Sequence, residues 1–342
     1  MIYKNILMKN KTTITLILLI IISSWIYYIN WIIWLLEFIF SICIYTLIFY
    51  FFHFIWAKIR NKTYMHSSEY IKLFLYRISI LILSFIFIIW GLSYLSNKLY
   101  PAKMPEYTIS NWKKEVKFQV MSHIWSPSFY KEVQNNLKKY KENWWVYFFE
   151  WVKPWTEKNH KDFNKAIWIE FDKDLYKNFS KLYWLTFQDN SIFLWLVNNK
   201  DYNVDIWLDK IMELYNDKSK TTKNTNNQPP IEASKEIIKT LSELNEKELK
   251  ILVYLNQAIL NFIIWNNKTQ NFLNNNFTNE KLFEVILGER NKVVANEIIN
   301  TEYKKIYMTY WLLHFNWILK LLQKNDPNWK IIETKYLYPI KN

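Results

Sequence analysis

Apolar and polar positions fall along this chain in two regimes. Residues 12–29, 38–56 and about 78–95 are apolar almost without interruption. Each run is about 18 to 20 residues, the length that a hydrocarbon core of ~30 Å asks of a helix. Downstream, the pattern breaks into short strand-like runs and 3.6-residue stripes. Residues 116–121 (Val-Lys-Phe-Gln-Val-Met) read as a strand ending at Ser122 and His123. Ser126-Pro127 then starts a helix whose Phe129, Val133, Leu137 and Tyr140 share one face. Residues 146–149 are the next strand, ending at Glu150. Strand, helix, strand with polar residues at the strand ends is the layout of an α/β unit. Residues 173–215 and 231–300 read as mainly helical. Residues 306–310 are strand-like and lead into Trp311-Leu312-Leu313-His314. A helix through Ile318 and Leu322, a turn at 325–329 and a last strand at 331–334 follow.

The fold class predicted is α/β, a mixed sheet flanked by helices, preceded by an all-α transmembrane anchor. Residues 1–97 form the anchor with three transmembrane helices, the first two joined by a tight hairpin at 30–37. Residues 98–112, with Pro101 and Pro105, form a connector. Residues 113–342 form the α/β domain, with a flexible insertion at 216–230 that is Asn/Thr/Lys-rich and closes on Pro229-Pro230. The first apolar run could serve as a signal peptide, but it lacks a small-residue cleavage site and a second run follows at once.

Charge orients the anchor. Lys4, Lys9 and Lys11 precede the first span, and Lys58, Arg60, Lys62, Lys72 and Arg77 crowd the segment between the second and third. Both segments are expected on the cytoplasmic side, which puts the C-terminal domain on the extracytoplasmic side of an integral membrane protein. The net charge of +14 is spread among Asp and Glu without a basic stripe, so no nucleic-acid partner is expected. Cys43 lies inside a span, so the outer domain has neither a disulfide framework nor a thiolate metal site.

Composition changes the picture more sharply. The chain has 19 Trp and 2 Gly. Average usage would give roughly 24 Gly in a chain of this length. Several Trp occupy turn sequences where glycine is ordinary: Asn143-Trp144-Trp145, Pro154-Trp155, Tyr183-Trp184-Leu185 and Asp326-Pro327-Asn328-Trp329. Two readings stand. Either UGA codons that the cell reads as glycine are written here as Trp, or the chain is a membrane protein rich in interfacial aromatics. The second accounts for Trp25, Trp56 and Trp90 and leaves the turns unexplained.

Two histidines hold matching places, His123 after one strand and His314 after another, each ahead of a helix. Glu150 ends a third strand, and Arg290 sits in Glu289-Arg290-Asn291-Lys292-Val293-Val294-Ala295. Read with glycine for Trp, His123 to Tyr130 becomes His-Ile-Gly-Ser-Pro-Ser-Phe-Tyr, Glu150 starts Glu-Gly-Val, and Trp311 to His314 becomes Gly-Leu-Leu-His. With Trp184 to Gln188, Asn203 to Asp205 and Arg290 to Ala295, these segments resemble the TraB/PrgY/GumN family, which includes the Tiki membrane proteases. The resemblance covers about residues 116–340. It departs at Val120, where the family has glycine.

The resemblance implies a metal-dependent hydrolytic site, a peptidase acting on a secreted or surface peptide. A non-catalytic peptide-binding or sequestering regulator on the same fold is the alternative. His123, His314 and Glu150 are the expected ligands of a divalent metal ion, or its acid/base partners. Neutral imidazoles bind such ions, and a carboxylate can complete the set or act as base. Arg290 is expected to stabilise negative charge. Gln188 and Asp205 stand second, as groups that orient water or a ligand histidine. Asp205 has a competing assignment as helix N-cap. Trp125, Trp151 and Trp311 border the expected site.

Overall fold

The computed structural model describes residues 2–61, 65–151, 156–167, 173–220, 239, 242–266 and 280–340. The chain forms two compact units, Met1–Leu95 with Leu244–Leu255, and Ser96–Glu243 with Asn256–Asn342.

The first unit is built on helices α1 (Ile2–Ile59) and α2 (Ser67–Leu99). Three helical stretches are long and apolar enough to cross a membrane: Asn10–Ile29, Leu35–Ile59 and Ser67–Leu99. Their side chains face outward, with Ile20, Phe40, Leu47 and Phe87 among those most exposed. Apolar side chains facing outward in this way are compatible with lipid as solvent. Thr15 and Thr46 donate their hydroxyls to the carbonyls four residues back, at 2.8 and 2.6 Å, which satisfies them without water. The hairpin expected at 30–37 is not there. α1 runs through that segment unbroken, because Asn-Trp-Ile-Ile-Trp-Leu-Leu-Glu contains neither Gly nor Pro to stop it.

The second unit centres on a six-stranded sheet. Its strands are β1 (Met104–Ser110), β2 (Glu115–Met121), β4 (Val146–Phe149), β6 (Tyr202–Asn203), β7 (Lys305–Trp311) and β8 (Lys330–Leu337), in the order β6-β4-β7-β2-β1-β8. β2, β7, β4 and β6 run parallel to their neighbours in that order. β1 pairs antiparallel with both β2 and β8, and its register with β8 skips Ile332. A two-stranded sheet pairs β3 (Ile124–Trp125) with β5 (Thr186–Phe187).

The central strands are buried on both faces, as helix-covered parallel strands are. Val116, Phe118, Val120, Phe148, Ile306 and Met308 are core. Helix α3 (Pro127–Glu142) covers one face with Phe129, Val133 and Leu137. It starts where the sequence said it would: the Ser126 hydroxyl accepts the Phe129 N–H at 3.2 Å, and Pro127 fills the first turn, where no N–H is needed. The Ser126 N–H is itself held by the Pro339 carbonyl, at 2.8 Å.

The other helices are α4 (Glu157–Ile167), α5 (Lys173–Leu182), α6 (Ser191–Leu194), α7 (Leu208–Lys220), α8 (Glu246–Trp265), α9 (Glu280–Asn300) and α10 (Phe315–Asn325). Ala166, Leu208, Ile211, Met212, Leu282 and Val285 form a smaller second core among α4, α7 and α9.

Two expectations need correction. The connector at 98–112 contains strand β1. Pro105 reads as a loop marker, yet it precedes the point at which the β2 register begins, so its missing N–H costs nothing on that side. In the expected flexible insertion, residues 216–220 continue α7, and 221–230 lie outside the described residues.

Four described residues other than glycine have positive φ: Asn61 (51°), Trp112 (69°), Trp144 (65°) and Trp184 (55°). Trp144 and Trp184 follow the ends of α3 and α5. Trp144 N–H bonds to Lys141 C=O at 3.1 Å, and Trp145 N–H to Tyr140 C=O at 3.1 Å. After α5 the same pair recurs, Trp184 to Lys181 at 3.0 Å and Leu185 to Ser180 at 2.9 Å. These are Schellman caps, whose left-handed residue is normally glycine. Trp329 differs from the expectation: it is buried and has no positive φ. Trp155 lies outside the described residues.

Candidate functional site

β2, β4 and β7 are parallel and in register, so all three end at one edge of the sheet. Met121 is level with Trp311, and Phe149 with Thr309. The residues that follow, His123, Glu150 and the 311–314 turn, therefore meet there. β6 ends beside β4 and brings Asp205, and α9 lies across the same edge with Arg290 and Asn291.

Glu150 is held at both oxygens. Oε2 accepts the Trp311 backbone N–H at 2.9 Å, and Oε1 accepts from Arg290 Nη2. The same guanidinium grips Asp205 with two bonds, Nε to Oδ1 at 2.7 Å and Nη2 to Oδ2 at 2.8 Å. It also lies 5.6 Å from the Tyr310 ring. Asp205 is fully buried at its side chain and Arg290 nearly so. One guanidinium thus faces two carboxylates, which leaves one net negative charge. Burial alone would raise Glu150. Arg290, both imidazoles and the Trp311 N–H outweigh it and hold that carboxyl below its usual range. For Asp205 burial wins: despite Arg290, and with Glu150's charge adding to the push, it is raised to about 6.

His314 is fully buried in the 3-10 turn between β7 and α10. Its Nδ1 lies 2.6 Å from Asn291 Oδ1. A carbonyl oxygen only accepts, so Nδ1 carries the proton and Nε2 bears the lone pair. That Nε2 is buried without a hydrogen-bond partner in the protein, as is Asn291 Nδ2. Burial drives the His314 imidazolium away and lowers the group to about 3.

His123 is half-buried in the loop after β2. Burial lowers it too, against Glu150's pull. Its carbonyl accepts the Gln188 N–H at 2.7 Å, and the Tyr130 hydroxyl holds the neighbouring Ser122 carbonyl at 3.0 Å. The Trp311 ring lies 6.4 Å from the His123 ring and 5.9 Å from the His314 ring, centroid to centroid.

The structure therefore brings His123, Glu150, Arg290, His314 and Asp205 together. Gln188 takes part through its backbone alone; its side chain turns to Asn190 Oδ1 at 2.7 Å. Asp205 is a partner of Arg290 rather than a cap, since α7 begins at Leu208. Trp125 is buried beside α3, and Trp151 is exposed, its carbonyl taking the Asn203 side-chain amide.

Asn291 was not singled out from the sequence. It follows Arg290 directly, and on a helix successive residues point about 100° apart, so adjacency gave no sign that both reach the site.

Among the described residues, no three His, Cys, Asp or Glu side chains are arranged to hold a metal ion. Glu150 has both oxygens engaged, and the indole of Trp311 stands by the two imidazoles.

Comparison with protein-family models, with curated proteins and with solved structures gave no match.

Proposed function

We propose that this chain is a membrane-anchored, metal-dependent hydrolase, a peptidase whose TraB-like domain acts on a secreted or surface peptide from the extracytoplasmic side. The observation that carries the reading is the fully buried, neutral His314, its Nδ1 fixed by Asn291 and its Nε2 left without a donor beside Glu150. An imidazole prepared this way is suited to bind a divalent ion or take a proton. His314 and His123 would hold the ion, with Glu150 as third ligand or as base. A bound divalent ion supplies Lewis acidity and a water of lowered pKa. Arg290 is placed to offset negative charge that develops next to Glu150, and Asp205 keeps the guanidinium in position. Glu150 becomes available only as Arg290 yields one of its bonds.

The test is hydrolysis of a peptide library by the purified full chain, with and without chelator. Activity should vanish with chelator, return with a divalent ion, and be abolished by His314→Ala and by His123→Ala. Hydrolysis unaffected by chelation and by both substitutions sinks the proposal.

A non-catalytic peptide-binding regulator on the same fold is the second reading. The saturation of Glu150 by Arg290 and the Trp311 N–H favours it. It requires peptide binding that chelation leaves unchanged and no turnover.

A further inference from the structure

We propose that residues 112, 144, 184 and 311 are glycine in the protein as cells make it. The glycine at 311 opens a pocket beside His123 and His314 in which water donates a hydrogen bond to His314 Nε2 until a divalent ion displaces it. The pocket is independent of catalysis; only the displacement of that water by an ion rests on the hydrolytic reading above.

Three of the four described non-glycine residues at positive φ are Trp. Two of them sit at the left-handed position of a Schellman cap, and all three hold their indoles largely exposed, at 77%, 85% and 57%. Such positions select against a Cβ, and the exposed lysine contacts of the rings, Lys330 over Trp112 at 4.4 Å and Lys200 over Trp144 at 6.0 Å, return less than the left-handed backbone costs. A UGA codon read as glycine accounts for all three at once.

Position 311 is argued differently. Its backbone (φ −64°, ψ 145°) suits any residue. What matters is its ring, which stands by both imidazoles. The bond to Glu150 comes from the backbone N–H and survives loss of the ring. Removing the indole clears space beside both imidazoles, and His314 Nε2 and Asn291 Nδ2, buried in the same site without partners, are an acceptor and a donor for what enters.

Peptide masses of the chain isolated from cells that encode it should show glycine at 112, 144, 184 and 311; Trp at these positions overturns the assignment. The pocket has its own test. Diethyl pyrocarbonate, which acylates neutral imidazole, is applied to the chain as written and to Trp311→Gly, and His314 modification is followed by peptide mapping. Modification about an order of magnitude faster in the variant is expected, because a covered group reacts only through local opening. Trp311→Phe should stay slow. Equal rates in folded protein, checked by circular dichroism on Trp311→Gly and Trp311→Ala, overturn the pocket. Fast modification without peptidase activity upholds the pocket and counts against the hydrolase.

A second observation stands apart from the site. β8 ends the sheet, and among the described residues no strand pairs with its outer edge. It has no proline, and Ile331, Ile332 and Tyr336 are exposed at 42%, 51% and 54%. Lys330, Lys335 and the irregularity at Ile332 are guards against indiscriminate pairing, so an edge like this one recruits only a strand that answers its charges. We infer that β8 pairs antiparallel with β8 of a second copy across a two-fold axis at Thr334. That register sets Glu333 opposite Lys335 of the other copy, an opposite-charge pair that the symmetry makes twice and that lies clear of the irregularity at Ile332. A one-residue shift loses the charge match.

Sedimentation of the detergent-solubilised full chain should show a dimer. Lys335→Glu should weaken it about tenfold or more, since two like-charge pairs replace two opposite ones. Adding Glu333→Lys should restore it. A chain that stays monomeric at all concentrations, or a double exchange that fails to restore pairing, overturns the inference.

Discussion

Arg290 is the residue on which the site's electrostatics turn. Among the described residues it is the one positive charge bonded to both Glu150 and Asp205, and its side chain is 7% exposed. Arg290→Leu leaves two carboxylates facing each other in the interior, a change expected to cost about 3–5 kcal/mol. Chemical denaturation would measure it, and adding Asp205→Asn should recover part of the loss. His314 gives the pH response. Its folded value of about 3 lies below its ordinary 6.5, so between those values the unfolded chain binds the proton more readily. The stability it contributes is present above about pH 6.5 and is lost as pH falls towards 3. The thermal midpoint should therefore drop over that window, and more shallowly in His314→Gln, if that variant folds. The two histidines and Glu150 were legible in the sequence because each lies within three residues of a strand end. Asn291 was not, since nothing in a run of helical residues marks the one that fixes a tautomer.

Among the elements, the buried parallel strands were the easiest to read. β4 and β7 are largely β-branched and aromatic, β2 alternates Val116, Phe118 and Val120 with Lys117 and Gln119, and the Ser126-Pro127 start of α3 is backed by an actual cap. β1 escaped because Pro105 reads as a breaker, and β5 and β6, two residues each, are too short to leave a periodic trace. The unbroken α1 shows the opposite error, a turn expected between two apolar runs where the intervening residues include neither Gly nor Pro to break the helix. The two Schellman caps carry a prediction of their own. A left-handed residue with a Cβ costs roughly 1–2 kcal/mol, so Trp144→Gly and Trp184→Gly should each raise stability by about that amount. Urea denaturation of the single variants would check it, and a loss of stability would show that the indoles make contacts of greater worth.

For the whole molecule, the issue is which side of a membrane the α/β domain occupies. Three apolar helical stretches are compatible with insertion, two of them on the single helix α1. At 1.5 Å per residue its 58 residues extend about 87 Å, nearly three times a hydrocarbon core of ~30 Å. Three crossings require the chain to reverse near residues 30–37, where α1 is unbroken, whereas the extracytoplasmic placement requires only that the basic segment from Lys58 to Arg77 be cytoplasmic and that α2 cross once. With Cys43 replaced by Ser, a cysteine put in place of exposed Asn143 should react with an impermeant maleimide added outside intact cells. Labelling only after lysis would place the domain in the cytoplasm.

The hydrogen bond from Ser126 to Pro339 joins distant parts of the chain next to the candidate site. It fastens the segment carrying His123 to the C-terminal tail, much as a latch holds a hinged panel. Trimming the chain after Tyr338 would delete none of the site residues and still slacken that loop. A shortened protein with an intact sheet but weakened ligand binding is the expected result, so affinity tags are better carried at a distance from this end.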